Sequence, residues 1–472
     1  MTVDNSPIII WFRRDLRLAD NPALHAAVQT GRQIILLYIL ETNLPRNDGG
    51  AKNVWLYHSL LSLSENIKSR GGDLTLRRGS AKNILDELIK ETGATAVYWN
   101  RRYTENGRNI DEVIKSDLKT RKLDVQSFNA NLLTEPWAIE SKTGGFYKVF
   151  TPYWRAVRAK LDVADALPAP DELINYPVSS LALDALNLTP KNLNWDRKIM
   201  QGWQAGESGA HARLVAFLDG PVEDYAEQRN FPANERGTSR LSAHLAHGEI
   251  SPRQIWHAAQ ASGKAVDKFL SEIGWREFSY VLMYHFPKLA SENFKPAFDA
   301  FEWDIDEQAL ERWQRGQTGY PFVDAGMREL WQTGWQHNRV RMVCASFLIK
   351  HLLQDWRAGE AWYWDTLLEA DPASNAASWQ WVAGSGADAS PYFRIFNPFS
   401  QGEKFDSDGD YVRKYVPELA KMPKKYIHRP WEAPDNILEY AGVKLGLTYP
   451  NPIVDHKFAR ERALAAYKAT RS

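Results

Sequence analysis

The sequence predicts an α/β domain followed by a larger all-α one, and three observations carry that reading. Short apolar runs alternate with helical patterns up to about residue 135. Proline then recurs at 136, 152, 168, 170, 177 and 190 while the periodicity weakens. From about Gly206 onward the pattern is helical almost throughout, with short polar breaks and no convincing strand. The expected organisation is a doubly wound parallel-sheet domain at 1–135, a long, partly helical linker at 136–205, and a larger helical domain at 206–472.

Ile8–Trp11, Ile34–Ile39, Leu74–Leu76, Ala96–Trp99 and Val125–Phe128 are apolar runs suited to strands covered on both faces. Asn53–Ser69 and Ala81–Glu91 lie between them with helical periodicity. They are closed by Gly71-Gly72 and Gly93, residues that end helices readily because they lack a Cβ. Strands alternating with helices pair in parallel, since the helix supplies the crossover that parallel neighbours require. No GxGxxG or GxxxxGKS/T follows the first strand, so a dinucleotide or P-loop site there is not supported.

Composition narrows the function classes. The 472 residues are 44% hydrophobic and 25% charged, ordinary for a soluble globular protein. The single cysteine, Cys344, excludes an internal disulfide and zinc sites built on paired cysteines, and fits a reducing cytoplasm. No metal constellation is visible. No run of about 18 apolar residues and no charged-then-apolar leader is present, so neither a membrane span nor a signal peptide is expected. The formal net charge is zero, which argues against a protein that coats nucleic acid but leaves room for a local basic patch. Thirteen of the 19 tryptophans lie from Trp203 onward, so whatever uses them sits in the helical half.

Five groups of residues in that half carry the chemistry. Tyr225 and Arg229 precede Thr238-Ser239-Arg240-Leu241-Ser242, where small hydroxyls beside an Arg offer donors to a phosphate or, equally, cap a helix. Glu272, Trp275 and Arg276 share a helix face, as a surface ion pair with a covering Trp also would. In Trp335–Met342, Asn338 and Met342 face one way and His337 and Arg341 form the neighbouring stripe. The stretch Asn375–Pro398 sets Trp379 and Trp381 beside Asn375 and a Gly-broken loop ending in Tyr392-Phe393-Arg394, suited to gripping a large flat molecule. Two core tryptophans flanking a bend would give the same Trp-x-Trp. Lastly, Trp303, Trp356 and Trp379 are scattered through the domain, each compatible with plain core packing.

The segments WFRRDLRL at 11–18, TSRLS at 238–242, WREF at 275–278, TGYPFVDAGMREL at 318–330 and the 375–398 stretch closely resemble the DNA photolyase/cryptochrome family, in the same order. The likeness runs from Ile8 to about Arg462 and is strongest to bacterial cyclobutane pyrimidine dimer photolyases. It implies an FAD cofactor whose phosphates meet Thr238–Ser242, with Tyr225 also in the cofactor site. Arg341 would lie beside the flavin, paired with an acid from Glu369-Ala370-Asp371; many relatives carry Asp where Glu369 stands. Asn375 would sit near flavin N5, where a neutral amide can hydrogen-bond and tune the cofactor.

The resemblance also implies that Glu272 hydrogen-bonds damaged bases and that Trp275 and Trp381 bracket them. Asn338, Arg339 and Met342 belong to the same substrate side, and Trp379, Trp356 and Trp303 would relay an electron from the surface to the flavin. Arg229, Arg339, Arg394, Lys404 and Gln401 are the candidate DNA contacts. The expected activity is light-driven repair of pyrimidine dimers by a monomeric, cytoplasmic lyase that acts on damaged DNA and needs no protein partner. A cryptochrome-type sensor is the alternative, and a nucleotide-binding protein of the electron-transfer or nucleotide-alpha-hydrolase type would explain only the α/β half. Retention of Glu272, Trp275 and Trp381 favours repair. Glu41 and Trp55 are candidates to hold an antenna pigment, methenyltetrahydrofolate in preference to 8-hydroxy-deazaflavin.

Overall fold

The computed structural model describes residues 5–42, 44–141 and 144–470. Five parallel strands form one sheet in the order β3-β2-β1-β4-β5: β1 Ile8–Phe12, β2 Ile34–Glu41, β3 Leu74–Gly79, β4 Ala96–Asn100 and β5 Asp124–Phe128. All five expected runs are strands. Alternate residues of one run feed opposite cores. Ile8, Ile10 and Phe12 pack with α1 (Pro22–Val28) and α2 (Gly50–Lys68). Ile9 and Trp11 pack with α3 (Ala81–Thr92) and α4 (Glu105–Thr120). Both faces being apolar is why these strands read as continuous runs. Gly93 ends α3 at φ +68°, the left-handed conformation its sequence position called for.

Contacts divide the chain into two compact units: Met1–Asp219 with Ser239–Pro287, and Gly220–Thr238 with Lys288–Ser472. This grouping differs from the linear segmentation 1–135, 136–205 and 206–472. Described residues of the 136–205 stretch pack into the first unit. Leu173, Leu186 and Leu188 bury against the sheet core, and Ile34 N and Leu173 N bond to Ile174 O and Arg70 O at 2.8 Å each. Apolar burial and satisfied backbone groups hold a proline-rich stretch in place without periodicity. Within it, α5 (Phe150–Lys160) packs on the helix Asp267–His285.

The second unit is helical, and among its described residues no strand occurs beyond an isolated bridge at Leu445 and Tyr449. Its core runs from Phe298 to Ala463 and is rich in aromatic rings. The 318–330 motif organises that core. Asp324, fully buried, accepts from Thr318 N at 2.7 Å, Thr318 Oγ1 at 2.6 Å, Gly319 N at 3.0 Å and Tyr449 Oη at 2.7 Å. Four donors on one carboxylate let it bury, although desolvation still raises its pKa.

Candidate functional site

Asp371 starts the helix Pro372–Ala383 by capping it, accepting from Ala373 N at 3.1 Å and Ser374 N at 2.8 Å. The helix then places Asn375 one turn in and Trp379 one turn further, on the same side. Asn375 is buried, and its Nδ2 donates to Glu360 Oε1 at 2.8 Å and Glu360 O at 3.1 Å. Both neighbours are acceptors, so the amide nitrogen must face them and the amide oxygen is turned the other way, as an acceptor for an N–H partner. Glu360 lies on the helix Trp356–Thr366 and was not foreseen; nothing in its sequence surroundings marks it.

Arg341 pairs with Glu369, and its Nε donates to Gln336 O at 2.7 Å. Of the two candidate acids, Glu369 meets Arg341, while Asp371 caps the helix through Oδ1. Ala370 between them is fully buried. The Glu at 369, a departure from the Asp of many relatives, reaches the pair all the same.

Trp303, Trp356 and Trp379 all lie in this unit. The six-membered ring of Trp379 abuts Gly359, where a Cβ would lie only 2.1 Å from Trp379 Cη2. Gly359 stands one turn after Trp356 on its helix. Trp356 is fully buried, with Nε1 donating to Asn293 Oδ1 at 2.9 Å. Leu353, three residues before Trp356, accepts from Asp304 N at 2.8 Å, and Asp304 follows the half-buried Trp303, whose ring packs on Phe301 at 4.3 Å. Between Trp379 and Trp381, buried Gln380 pins the helix by donating to Leu289 O at 2.7 Å and Glu292 O at 2.8 Å and accepting from Phe294 N at 2.9 Å. Trp381 is half-buried on the next position.

A basic and aromatic cluster forms in the same unit. The Arg339 guanidinium sits 4.5 Å over the Phe405 ring and bonds Asn230, with Lys404 Nζ 5.2 Å from that ring. Burial, then the nearby Arg229 cation, lowers the Arg339 pKa. Arg229 stacks over Tyr225 at 5.2 Å. Gln401 and Lys404 share the helix Pro398–Phe405. Asn338 is exposed at the start of the helix Asn338–Ser346, Met342 is half-buried one turn on, and Arg394 is exposed. Arg229, Arg339 and Lys404, distant in sequence, thus form one cationic cluster with Phe405.

Residues 8–171 match the family model described as DNA photolyase, and 269–469 match the FAD binding domain of DNA photolyase. The chain is 52% identical to a deoxyribodipyrimidine photo-lyase of Agrobacterium fabrum, covering 100% of this chain and 99% of that protein. The crystal structure of a bacterial class III photolyase from Agrobacterium tumefaciens superposes with a TM-score of 0.97 at 52% identity, covering 100% and 99% of the two chains.

The chain belongs to the DNA photolyase family. It is an enzyme of the lyase class and a flavoprotein whose cofactor is FAD. Cryptochromes share the family: cryptochrome-1 of Arabidopsis thaliana is 37% identical over 96% of this chain and 69% of that protein.

The remaining photolyase motifs lie in the first unit. Ser239, Arg240 and Leu241 lead into the helix Ser242–His247, with Arg240 at φ +52° and Leu241 buried; Thr238 ends the adjoining stretch of the second unit. A left-handed non-glycine residue in a loop beside a helix start is the strained geometry that functional loops retain. Glu272 is half-buried and pairs with Lys268 Nζ at 3.0 Å. Trp275 is half-buried three residues on. Next to it, Glu277 is buried and accepts from Leu133 N at 2.8 Å and Thr134 N at 3.2 Å; desolvation raises its pKa to about 7.

Of the two antenna candidates, Trp55 is placed otherwise than expected. Trp55 has no accessible surface; its Nε1 donates to Glu249 Oε1 at 2.9 Å and its ring meets Trp203 and His244 edge-on. It anchors α2, and it presents no face on which a pterin could stack. Glu41 at the end of β2 pairs with Arg102, which also holds Asp111 at 2.9 Å. Among the described residues no metal-binding group of side chains occurs, and no helix is long and apolar enough to cross a membrane.

Proposed function

We propose that this photolyase repairs cyclobutane pyrimidine dimers in DNA. The observation that carries the reading is the cationic, aromatic cluster of Arg229, Arg339, Lys404 and Phe405 in the unit that also holds Asn375 and the three tryptophans. A light sensor has no need of such a surface, whereas an enzyme acting on damaged DNA must grip phosphates. When bound, reduced FAD supplies under light the one electron that opens the cyclobutane ring, and the electron then returns, so the reaction is redox-neutral.

The chain's residues support that chemistry in separate ways. Thr238, Ser239, Arg240 and Ser242 would hold the FAD phosphates, with Tyr225 and Leu241 beside them. The Asn375 oxygen, oriented by Glu360, would accept from an N–H and so would favour a protonated flavin nitrogen of the reduced cofactor. Arg341, neutralised by Glu369, would lie against the isoalloxazine. Trp379, Trp356 and Trp303, in that order outward, would return electrons to oxidised cofactor. A dimer already unpaired costs less to extrude than intact bases. Glu272 would bond its polar edges, while Trp275 and Trp381 offer stacking surfaces. Asn338, Arg339 and Met342 would meet the substrate, and Arg394 and Gln401 would add DNA contacts. The protein would act as a cytoplasmic monomer, with methenyltetrahydrofolate as antenna in preference to 8-hydroxy-deazaflavin and with Glu41 as its remaining foreseen contact.

The test is direct. Reduced protein is illuminated with an oligonucleotide carrying one thymine dimer, and absorbance in the thymine band is followed. Recovery establishes repair. Bound flavin without recovery would shift the reading to a cryptochrome-type sensor.

A further inference from the structure

Trp275 has one ring face already occupied. Phe150, the first residue of α5, stacks on it with centroids 3.9 Å apart and planes 11° apart. Trp154, one turn along α5, continues the pile, with its ring within 13° of Phe150 at 6.4 Å. Gly274 makes that approach possible: a Cβ there would lie 2.6 Å from Trp154 Cε3. Below, fully buried Tyr153 packs on Phe278 at 5.3 Å, and Phe278 meets the Trp275 ring edge-on at 5.9 Å. Phe150 is 9% exposed, while Trp275 stays half-buried. The accessible part of the Trp275 indole therefore lies away from Phe150, and rotation toward α5 is blocked.

We infer that Phe150 and Trp154 are positioning residues that hold Trp275 flat for stacking on a pyrimidine. The inference rests on the reading of Trp275 as a base-stacking residue. A free indole on a helix surface would lose rotamer freedom on binding; a ring clamped beforehand has lost it already, so more of the stacking energy appears as affinity. Undamaged duplex presents no extruded base and gains nothing from the clamp. The pile thus raises discrimination between dimer-containing and intact DNA, and it comes from a proline-rich segment whose sequence reads as a connector.

The experiment compares Phe150→Leu, which keeps apolar bulk without the ring, with Phe150→Tyr, which keeps the ring. Each is measured for affinity to an oligonucleotide with one thymine dimer, affinity to the undamaged oligonucleotide, FAD content, and repair yield at saturating substrate. Phe150→Leu is expected to lose about 3- to 10-fold in dimer affinity, the scale of one aromatic pair. Affinity for undamaged DNA, FAD content and saturated repair should stay at wild-type levels, and Phe150→Tyr should restore dimer affinity to within about twofold. Trp154→Leu, one ring further away, should shift the same ratio in the same direction by less, and it decides the matter if Phe150→Leu does not fold. Equal loss for both oligonucleotides, or a fall in thermal stability alone, would make the pile ordinary core and overturn the inference. A wild-type protein with no preference for the dimer would overturn the repair reading itself, an outcome visible before any variant is made.

Discussion

Gly359→Ala displaces the proposed electron relay without altering any tryptophan. The added methyl would stand 2.1 Å from Trp379 Cη2, 2.4 Å from Cζ3 and 2.7 Å from Leu348 Cδ2. Carbon atoms rest at about 3.5–4.0 Å, so the indole must retreat by roughly 1.5 Å. Its other contacts, edge-on to Tyr363 at 5.0 Å and Trp313 at 6.2 Å, oppose an easy retreat. Overpacking of this kind costs about 1–3 kcal/mol, and replacing Gly by Ala inside a helix returns about 1 kcal/mol. The net, roughly 0–2 kcal/mol, leaves a folded protein with Trp379 moved. Illumination of the oxidised flavoprotein with a thiol donor, followed at the blue flavin band, reads the relay; repair by chemically pre-reduced protein reads everything else. Gly359→Ala should slow photoreduction several-fold and leave repair near wild type, with Trp379→Phe showing the same split more strongly. Photoreduction at the wild-type rate in a destabilised Gly359→Ala protein would refute the reasoning, as would equal loss of both activities.

Three further predictions test other parts of the site. Glu360→Leu removes the carboxylate that orients Asn375, at a cost of about 1–3 kcal/mol for the orphaned donor; the reduced cofactor should reoxidise faster in air, and Glu360→Gln, which keeps an acceptor there, should not. Glu277, raised from 4.5 to about 7, keeps a proton that the unfolded chain releases between those values, so stability should fall as pH rises from about 4.5 to 7 and then level. Glu277→Gln retains the acceptor for Leu133 and Thr134 and should remove that fall, at most about 3 kcal/mol; urea midpoints at pH 5 and pH 8 that drop equally in both proteins would contradict this. Arg339→Gln should weaken damaged and undamaged DNA alike and reduce the slope of log affinity against log salt by about 1, which a binding titration at several salt concentrations measures.

Much of this was legible because local pattern reports local structure. The buried strands announced themselves as apolar runs and Gly93 as a helix end, whereas the helix that carries Asn375 and Trp379 on one side was not read from the sequence. The acidic partner of Arg341 was confined to Glu369-Ala370-Asp371, but the choice between the two acids was not: in space Glu369 pairs with Arg341 and Asp371 starts the next helix as its cap. Trp55 shows the opposite failure. Its neighbourhood suited a stacking ring, yet Glu249 and His244, almost 200 residues away in the chain, enclose it completely.

The sequence by itself determined the fold class, the family motifs and the roster of chemically capable residues, since periods of 2 and 3.6 record which face of an element is apolar. They do not record what that face meets. That Glu360 orients Asn375, that Gly359 makes room for Trp379, that Arg229, Arg339 and Lys404 gather at Phe405, and that α5 backs Trp275 are contacts between residues remote in sequence. Such contacts leave no local signature, because a side chain's reach is set by packing in space.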